Sequence, residues 1–257
     1  MIIDAHVHLP TGEAFHSLVE KKEKLIDEMV RNHVDKCVLI ADSWTESEIG
    51  STEECAGLFA ADTSGNVFVV GGISPFVAFR QQLSRIRHYL EQKQLVGIKL
   101  YTGHEEFYLT DERLADVYAL AIRYRVPVLF HSGWDNCRFG DTDAAASVAE
   151  RYPDLKLVCC HCWYPDIMKC RGMIGYPNLF FDLSSVADNP TMKDSIGAEV
   201  RGLILSVPDR VIFGSDAFGC SMPQHLAFLR GLHLPSGIEQ KLLGQNAARL
   251  YGIPAGG

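Results

Sequence analysis

VGIKLYT at residues 96–102, PVLFHSG at 127–133 and KLVCCHC at 156–162 are three short apolar runs of one kind. None shows the strict apolar–polar alternation of a strand with one face in water. Continuous runs of this length fit strands buried on both faces, as in a parallel sheet. Working outward, the same kind of run recurs as IIDAHVH from Ile2, KCVLIAD from Lys36, VFVVGGIS from Val67, LFFDLSS from Leu179 and VIFGSDAF from Val211. Successive starts among the eight lie 23 to 34 residues apart, and about thirty residues is one strand-plus-helix unit. Helical patterns fill most of the gaps. Leu18, Leu25, Ile26, Met29 and Val30 recur at helical spacing between the first two runs. Thr110 is placed to cap a helix with Leu114, Val117, Tyr118, Ala121 and Ile122 on one stripe, with Asp111 and Glu112 in its first turn. Ser236 and Glu239 fit a capping box opening the last helix.

Eight strands alternating with helices predict a parallel sheet. The length, 257 residues, matches the roughly 250 of a closed barrel of eight such units. The expected fold is therefore α/β, a (β/α)8 TIM barrel forming one domain over residues 1–257. A doubly wound open sheet is the alternative that periodicity leaves standing. No Pro/Gly/Ser-rich linker divides the chain.

With 47% hydrophobic and 22% charged residues the chain reads as globular rather than disordered. A net charge of -8 without a Lys/Arg run argues against a nucleic-acid partner. No apolar run approaches the ~18 residues of a membrane span, and the opening residues lack the features of a secretory signal. The expectation is a cytoplasmic protein with reduced thiols among its eight cysteines. Cys159, Cys160, Cys162 and Cys170 have a weak zinc-finger reading, against which buried strand cysteines are the plainer account. Symmetric oligomers are common among soluble enzymes, so a homodimer is the base-rate expectation.

The informative residues are ionisable ones inside apolar runs. His6 and His8 sit two apart in the first run, and residues two apart on a strand share a face. His131 ends the fifth run, His161 the sixth and Asp216 the eighth; Lys99 lies in the fourth. In a barrel the C-terminal strand ends form one mouth, where active sites are built. A lone His in a strand is ordinarily a hydrogen-bonded core residue. Five candidate ligands from four strands at one mouth are costly to bury without a metal or partners. Asp4 is expected to support the site by hydrogen bonding or to cap its strand. His104, His225 and the remaining histidines fall outside the strand ends and read as surface or loop residues.

These segments resemble the amidohydrolase superfamily, in particular its amidohydrolase-related branch of metal-dependent hydrolases and aminocarboxymuconate semialdehyde decarboxylase-like proteins. The resemblance rests on IIDAHVHL, RVIFGSDAFG and LLGQNAARLYGI at the two ends of the chain, together with the histidines ending the fifth and sixth runs. It implies that His6, His8, His131 and Asp216 hold a divalent metal, usually zinc. His161 would stand beside them as a second-metal ligand or catalytic acid/base. It also opens a second ion, bridged by a carboxylated Lys99. The branch's decarboxylases lack that lysine, so its presence leans toward hydrolysis.

Imidazole and carboxylate ligands suit zinc and leave room for a water, whose pKa the ion lowers toward roughly 7. Asp216 and His161 are the catalytic candidates, moving protons while a small amide, ester or lactone is hydrolysed. Metal-dependent, non-oxidative decarboxylation is the rival reaction, and a catalytically silent metal-binding barrel the rival of another class. For the small-molecule substrate, Tyr101, Trp134, Arg138 and Trp163 are the positional candidates, with Trp44 and Phe218 behind them.

Overall fold

The structure, a computed structural model, describes residues 1–60, 64–133, 137–189 and 193–254. Eight parallel strands run in chain order around one sheet: β1 Ile3–Val7, β2 Lys36–Ile40, β3 Val67–Gly72, β4 Gly97–Leu100, β5 Val128–His131, β6 Leu157–Cys160, β7 Leu179–Asp182 and β8 Val211–Ile212. Each lies inside one of the eight apolar runs. The circle is completed by the chain around and beyond β8. Ala5 N–H donates to Phe213 O at 2.8 Å, Asp216 N–H donates to His6 O at 2.8 Å, and Val7 bridges Ala217 in parallel. An open doubly wound sheet has no such contact between its first and last strands, so that alternative is excluded. The fold is a TIM barrel.

Two apolar layers result. Ile3, Ala5, Val38, Ile40, Val70, Leu129, Val158, Cys160 and Ile212 form an interior cluster. The other buried apolar strand residues join the larger core under the helices. The alternation has one interruption. Asp4 is opposite Cys37 and Val7 is opposite Leu39, so three steps on β1 match two on β2. Such a bulge re-aims side chains. Ala5 joins the interior cluster and Val7 the outer core, while His6 still faces the barrel mouth and Asp4 turns to the loop after β8.

The helices follow their apolar stripes. α1 (Leu18–Arg31) is capped by Ser17, whose hydroxyl accepts Glu20 N–H, and it buries Leu25 and Met29. Val30 is exposed, at the edge of the stripe. α2 (Thr52–Ala60), α3 (Phe79–Glu91), α4 (Ala115–Tyr124), α5 (Thr142–Arg151), α6 (Lys169–Met173), α7 (Lys193–Ser206) and α8 (Met222–Gly231) continue the ring. Two expected caps differ. The turn leading into α4 is capped by Asp111, which accepts Arg113 N–H, not by Thr110. α9 (Ser236–Gln240) begins after Pro235 and shows no side-chain cap, so Ser236 is a first-turn residue. α10 (Asn246–Tyr251) adds Ala247, Leu250 and Tyr251 to the interior cluster. Among the described residues no helix is long and apolar enough to cross a membrane.

The cysteines of β6 belong to the core. Cys159 and Cys160 are fully buried free thiols on alternate faces, and Cys162 and Cys170 are buried free thiols beyond the strand. No Cys-only ligand group forms among the described residues.

Candidate metal centre

His6, His8 and Asp216 place their ligand atoms together at the C-terminal mouth. His6 Nε2 lies 3.4 Å and His8 Nε2 3.3 Å from Asp216 Oδ1. The other ring nitrogen of each imidazole is committed elsewhere. His8 Nδ1 lies 2.9 Å from Ile40 O; a carbonyl only accepts, so that nitrogen carries a proton. His6 Nδ1 donates to Asp182 Oδ2 at 2.6 Å. The neutral form of each ring therefore aims the Nε2 lone pair at the carboxylate oxygen. His6 Nε2 is buried and has no hydrogen-bond partner.

Three acceptor atoms this close repel one another unless a cation lies between them. A tetrahedral zinc with ligands at about 2.0–2.1 Å holds ligand atoms about 3.3–3.4 Å apart, the separation found here between each imidazole and the carboxylate oxygen. A carboxylate behind the distal nitrogen of a metal-ligating histidine is likewise the usual support. The residues present fit a divalent ion.

Asp216 is positioned by unusual backbone. Its φ is +64°, a region a non-glycine residue enters at a cost. Its N–H bonds to His6 O and Ser185 Oγ donates to its Oδ2 at 2.6 Å. Burial works to raise its pKa, but a proton brought to this cluster is better held on an imidazole, hydrogen-bonded to the carboxylate from His8 or carried on His6 or His161, and that outweighs burial. The carboxyl is held well below its ordinary range.

His161 opens three consecutive residues with positive φ, His161, Cys162 and Trp163. This turn swings the imidazole into the mouth, its centroid 5.0 Å from His6 and 4.8 Å from His131. Its Nδ1 lies 2.9 Å from Ser184 Oγ and 3.3 Å from Ser184 O. Burial pushes its pKa down to about 3, so at neutral pH it is a base or a ligand, not a proton donor. His131, at the end of β5, is also held neutral, by burial and then by the neighbouring His161 and Lys99. It stands beyond His161, outside the three-residue cluster, with its ring 4.2 Å from that of His104.

Lys99 is buried on β4. Its Nζ lies 3.1 Å from Cys160 Sγ and 5.3 Å from the Tyr101 ring centroid. The cavity over these groups has a volume of about 550 Å³. Tyr101, Phe218 and Trp44 line it. Two expected substrate contacts do not. Trp163 is fully buried and donates Nε1–H to Gly140 O at 2.8 Å, a core wedge. Arg138 is exposed, with its guanidinium stacked on Phe139 outside the cavity lining. Trp134 lies outside the described residues.

Several participants escape the sequence reading. Asp182 ends β7, with burial opposing ionisation but the charge and hydrogen bond of His6 prevailing to lower its pKa. It obeys the same rule as the other ligands, a carboxylate within an apolar run, and was legible in LFFDLSS. Asp42, His104 and Glu105 line the cavity from the loops after β2 and β4. His225 is not a surface residue: it is buried in α8, accepts Ala187 N–H through Nε2 at 3.2 Å and donates Nδ1–H to Ser221 O. Asp4 supports the site as expected, accepting Ser215 N–H at 2.9 Å and binding Ser215 Oγ at 2.5 Å.

Fold and site together define a parallel barrel with a nitrogen–oxygen ligand cluster at its catalytic mouth. The chain belongs to the amidohydrolase family, whose profile matches residues 3–253. Among solved structures it is similar to an uncharacterised TIM-barrel protein of Bordetella bronchiseptica (20% identity, 98% of each chain covered, TM-score 0.77). It is also similar to a 5-carboxyvanillate decarboxylase of Sphingomonas paucimobilis (16%, 98% of this chain and 99% of that one, TM-score 0.66). A third is a probable 2-pyrone-4,6-dicarboxylic acid hydrolase of Acinetobacter baumannii (12%, 98% and 99%, TM-score 0.69). A comparison with curated proteins gave no match. The family typically binds a divalent metal, and its structural neighbours include hydrolases and decarboxylases alike.

Proposed function

We propose that this chain is a cytoplasmic, zinc-dependent hydrolase of a small carbonyl-type substrate, an amide, ester or lactone. The observation that carries the reading is the convergence of His6 Nε2, His8 Nε2 and Asp216 Oδ1 in a cavity of small-molecule size. His6, His8 and Asp216 would hold the ion, with His161 and His131 lining the same cavity. A bound ion supplies Lewis acidity toward a carbonyl and acidifies a water. Asp216, ionised across the neutral range, takes the proton of the attacking water and returns it to the leaving atom. His161 and His131 enter the reaction neutral and face the cavity as acceptors. Tyr101 donates its hydroxyl proton to Ala41 O at 2.9 Å, so it offers the substrate a ring face.

Hydrolysis is favoured over decarboxylation by the charges of the cavity wall. Among the described residues the lining carries Asp42, Glu105 and Asp216 but no arginine, and Lys99 is its one ammonium group. A decarboxylase must clamp a carboxylate that is to leave, and the two carboxyl groups outside the ligand set, Asp42 and Glu105, oppose that. Lys99 faces a thiol rather than a carboxylate, which leaves the two-ion, carbamate-bridged arrangement without support from its present partner.

The test is a library of amides, esters, lactones and aromatic acids offered to zinc-loaded protein, with acid production and carbon dioxide followed separately. Ring opening or bond cleavage without carbon dioxide is expected. Carbon dioxide release alone would overturn the proposal in favour of decarboxylation, and no turnover of any class would favour a silent metal-binding barrel.

A further inference from the structure

We infer that Ser184 and Ser185, the two residues in sequence after Leu183 at the end of β7, are the positioning unit of the metal centre. Ser184 selects the Nδ1–H tautomer of His161 and supports the one that Asp182 already sets on His6, and Ser185 turns one particular oxygen of Asp216 toward the histidines. The functional consequence rests on the metal reading above; the geometry does not.

Ser184 is fully buried. Its hydroxyl oxygen lies 3.1 Å from His6 Nδ1, 2.9 Å from His161 Nδ1 and 3.1 Å from Asp182 Oδ2. A hydroxyl has one proton and two lone pairs. The Asp182 carboxylate accepts from His6 Nδ1 at 2.6 Å and, through its other oxygen, from Ser184 N–H at 2.9 Å. The Ser184 proton also points to Asp182 Oδ2, which leaves the hydroxyl lone pairs for the ring N–H groups. His161 Nδ1 must then be a donor. The Ser184 carbonyl, 3.3 Å from the same nitrogen, requires the same tautomer because it can only accept. Both rings thus present Nε2 as a lone pair. Removing the hydroxyl leaves His161 Nδ1 with that carbonyl alone, outside the 2.7–3.2 Å of a good N–H···O bond. The Nε2–H tautomer then competes.

Ser185 acts on the third ligand. Its φ of +63° sends successive hydroxyls in different directions, and its own donates to Asp216 Oδ2 at 2.6 Å. That leaves Oδ1 to meet His6 and His8. One two-residue turn therefore touches His6, His161 and Asp216, from β1 and the loops after β6 and β8.

Long-range proton–nitrogen correlation on metal-free, histidine-labelled protein reads the tautomers directly, with His161→Gln supplying the assignment. The wild type should show His6 and His161 protonated at Nδ1. Either ring found protonated at Nε2 instead overturns the inference without any variant having to fold. Ser184→Ala should shift His161 toward a tautomer mixture and weaken zinc binding about 10- to 100-fold, while Ser184→Thr keeps both properties. Unchanged tautomer and affinity in Ser184→Ala, or equal losses in a folded Ser184→Thr, would overturn it. A wild type with the stated tautomers that binds no zinc would sink the metal reading and leave the tautomer assignment standing.

Discussion

At the scale of single residues, the site is a set of polar groups whose burial is tolerable only because each has a defined partner. His6 is the exception that identifies the centre: one nitrogen is tied to Asp182 and the other has nothing. His6→Ala or Asp216→Asn should cut zinc content, measured by elemental analysis of protein purified without chelator, from about one equivalent or more to near zero. Full retention in either variant would remove these residues from the ligand set. Asp4 offers a pH test. Burial, set against the hydrogen bonds from Ser215 and His6, raises its pKa to about 7, above the unfolded value near 3.9. The native state then keeps a proton that the unfolded chain has released, so stability falls as pH rises between those values. Asp4→Asn mimics the protonated form and cannot titrate. The melting temperature of the wild type relative to Asp4→Asn should decline from pH 5 to pH 8; a constant difference would mean that Asp4 stays ionised.

At the scale of elements, the eight strands and most helices were legible because burial on both faces leaves a run no polar positions except functional ones. That rule located His6, His8, His131, His161, Lys99 and Asp216. It failed where a loop, not a strand, sets the geometry. Trp163 comes two residues after His161, yet three left-handed residues turn its ring into the core. Glu105 and Asp42 reach the cavity through loop hydrogen bonds with Ser43, for which no periodicity exists. The bulge in β1 was equally invisible, since its cause is the register with β2. The loop after β8 shows how tightly these segments are fitted. A Cβ on Gly214 would lie 2.5 Å from Asp182 Oδ1 and 2.7 Å from His6 Cβ. Gly214→Ala must displace the pair that orients His6. It should cost about 1–3 kcal/mol of stability, as overpacking does, and weaken zinc binding beyond what the lost stability explains. Chemical denaturation and zinc titration on the same variant check both, and unchanged affinity would show that the Asp182–His6 pair does not govern the ion.

At the scale of the whole molecule, the barrel separates the groups that react from the groups that hold it closed. Strand ends carry the ligands at one mouth. At the other, α10 stops the barrel: Leu250 and Tyr251 join the interior cluster, Asn246 donates to Pro208 O and Val211 O, and Lys156 reaches Leu250 O. These partners sit at or before the starts of β6 and β8, opposite the metal centre. A change there is felt as stability, because the interior cluster loses apolar contacts, and not as chemistry, because several residues of each strand intervene. Leu250, almost fully buried, makes this measurable. Leu250→Ala should destabilise the protein by about 2–5 kcal/mol, the range for truncating a buried leucine, while the zinc affinity of the fraction still folded stays within about twofold of wild type. Urea unfolding gives the first quantity and competitive zinc titration the second. A tenfold loss of affinity in a folded Leu250→Ala protein would mean that the two ends of the barrel are coupled. The stop at its base would then be part of the site it appears only to support.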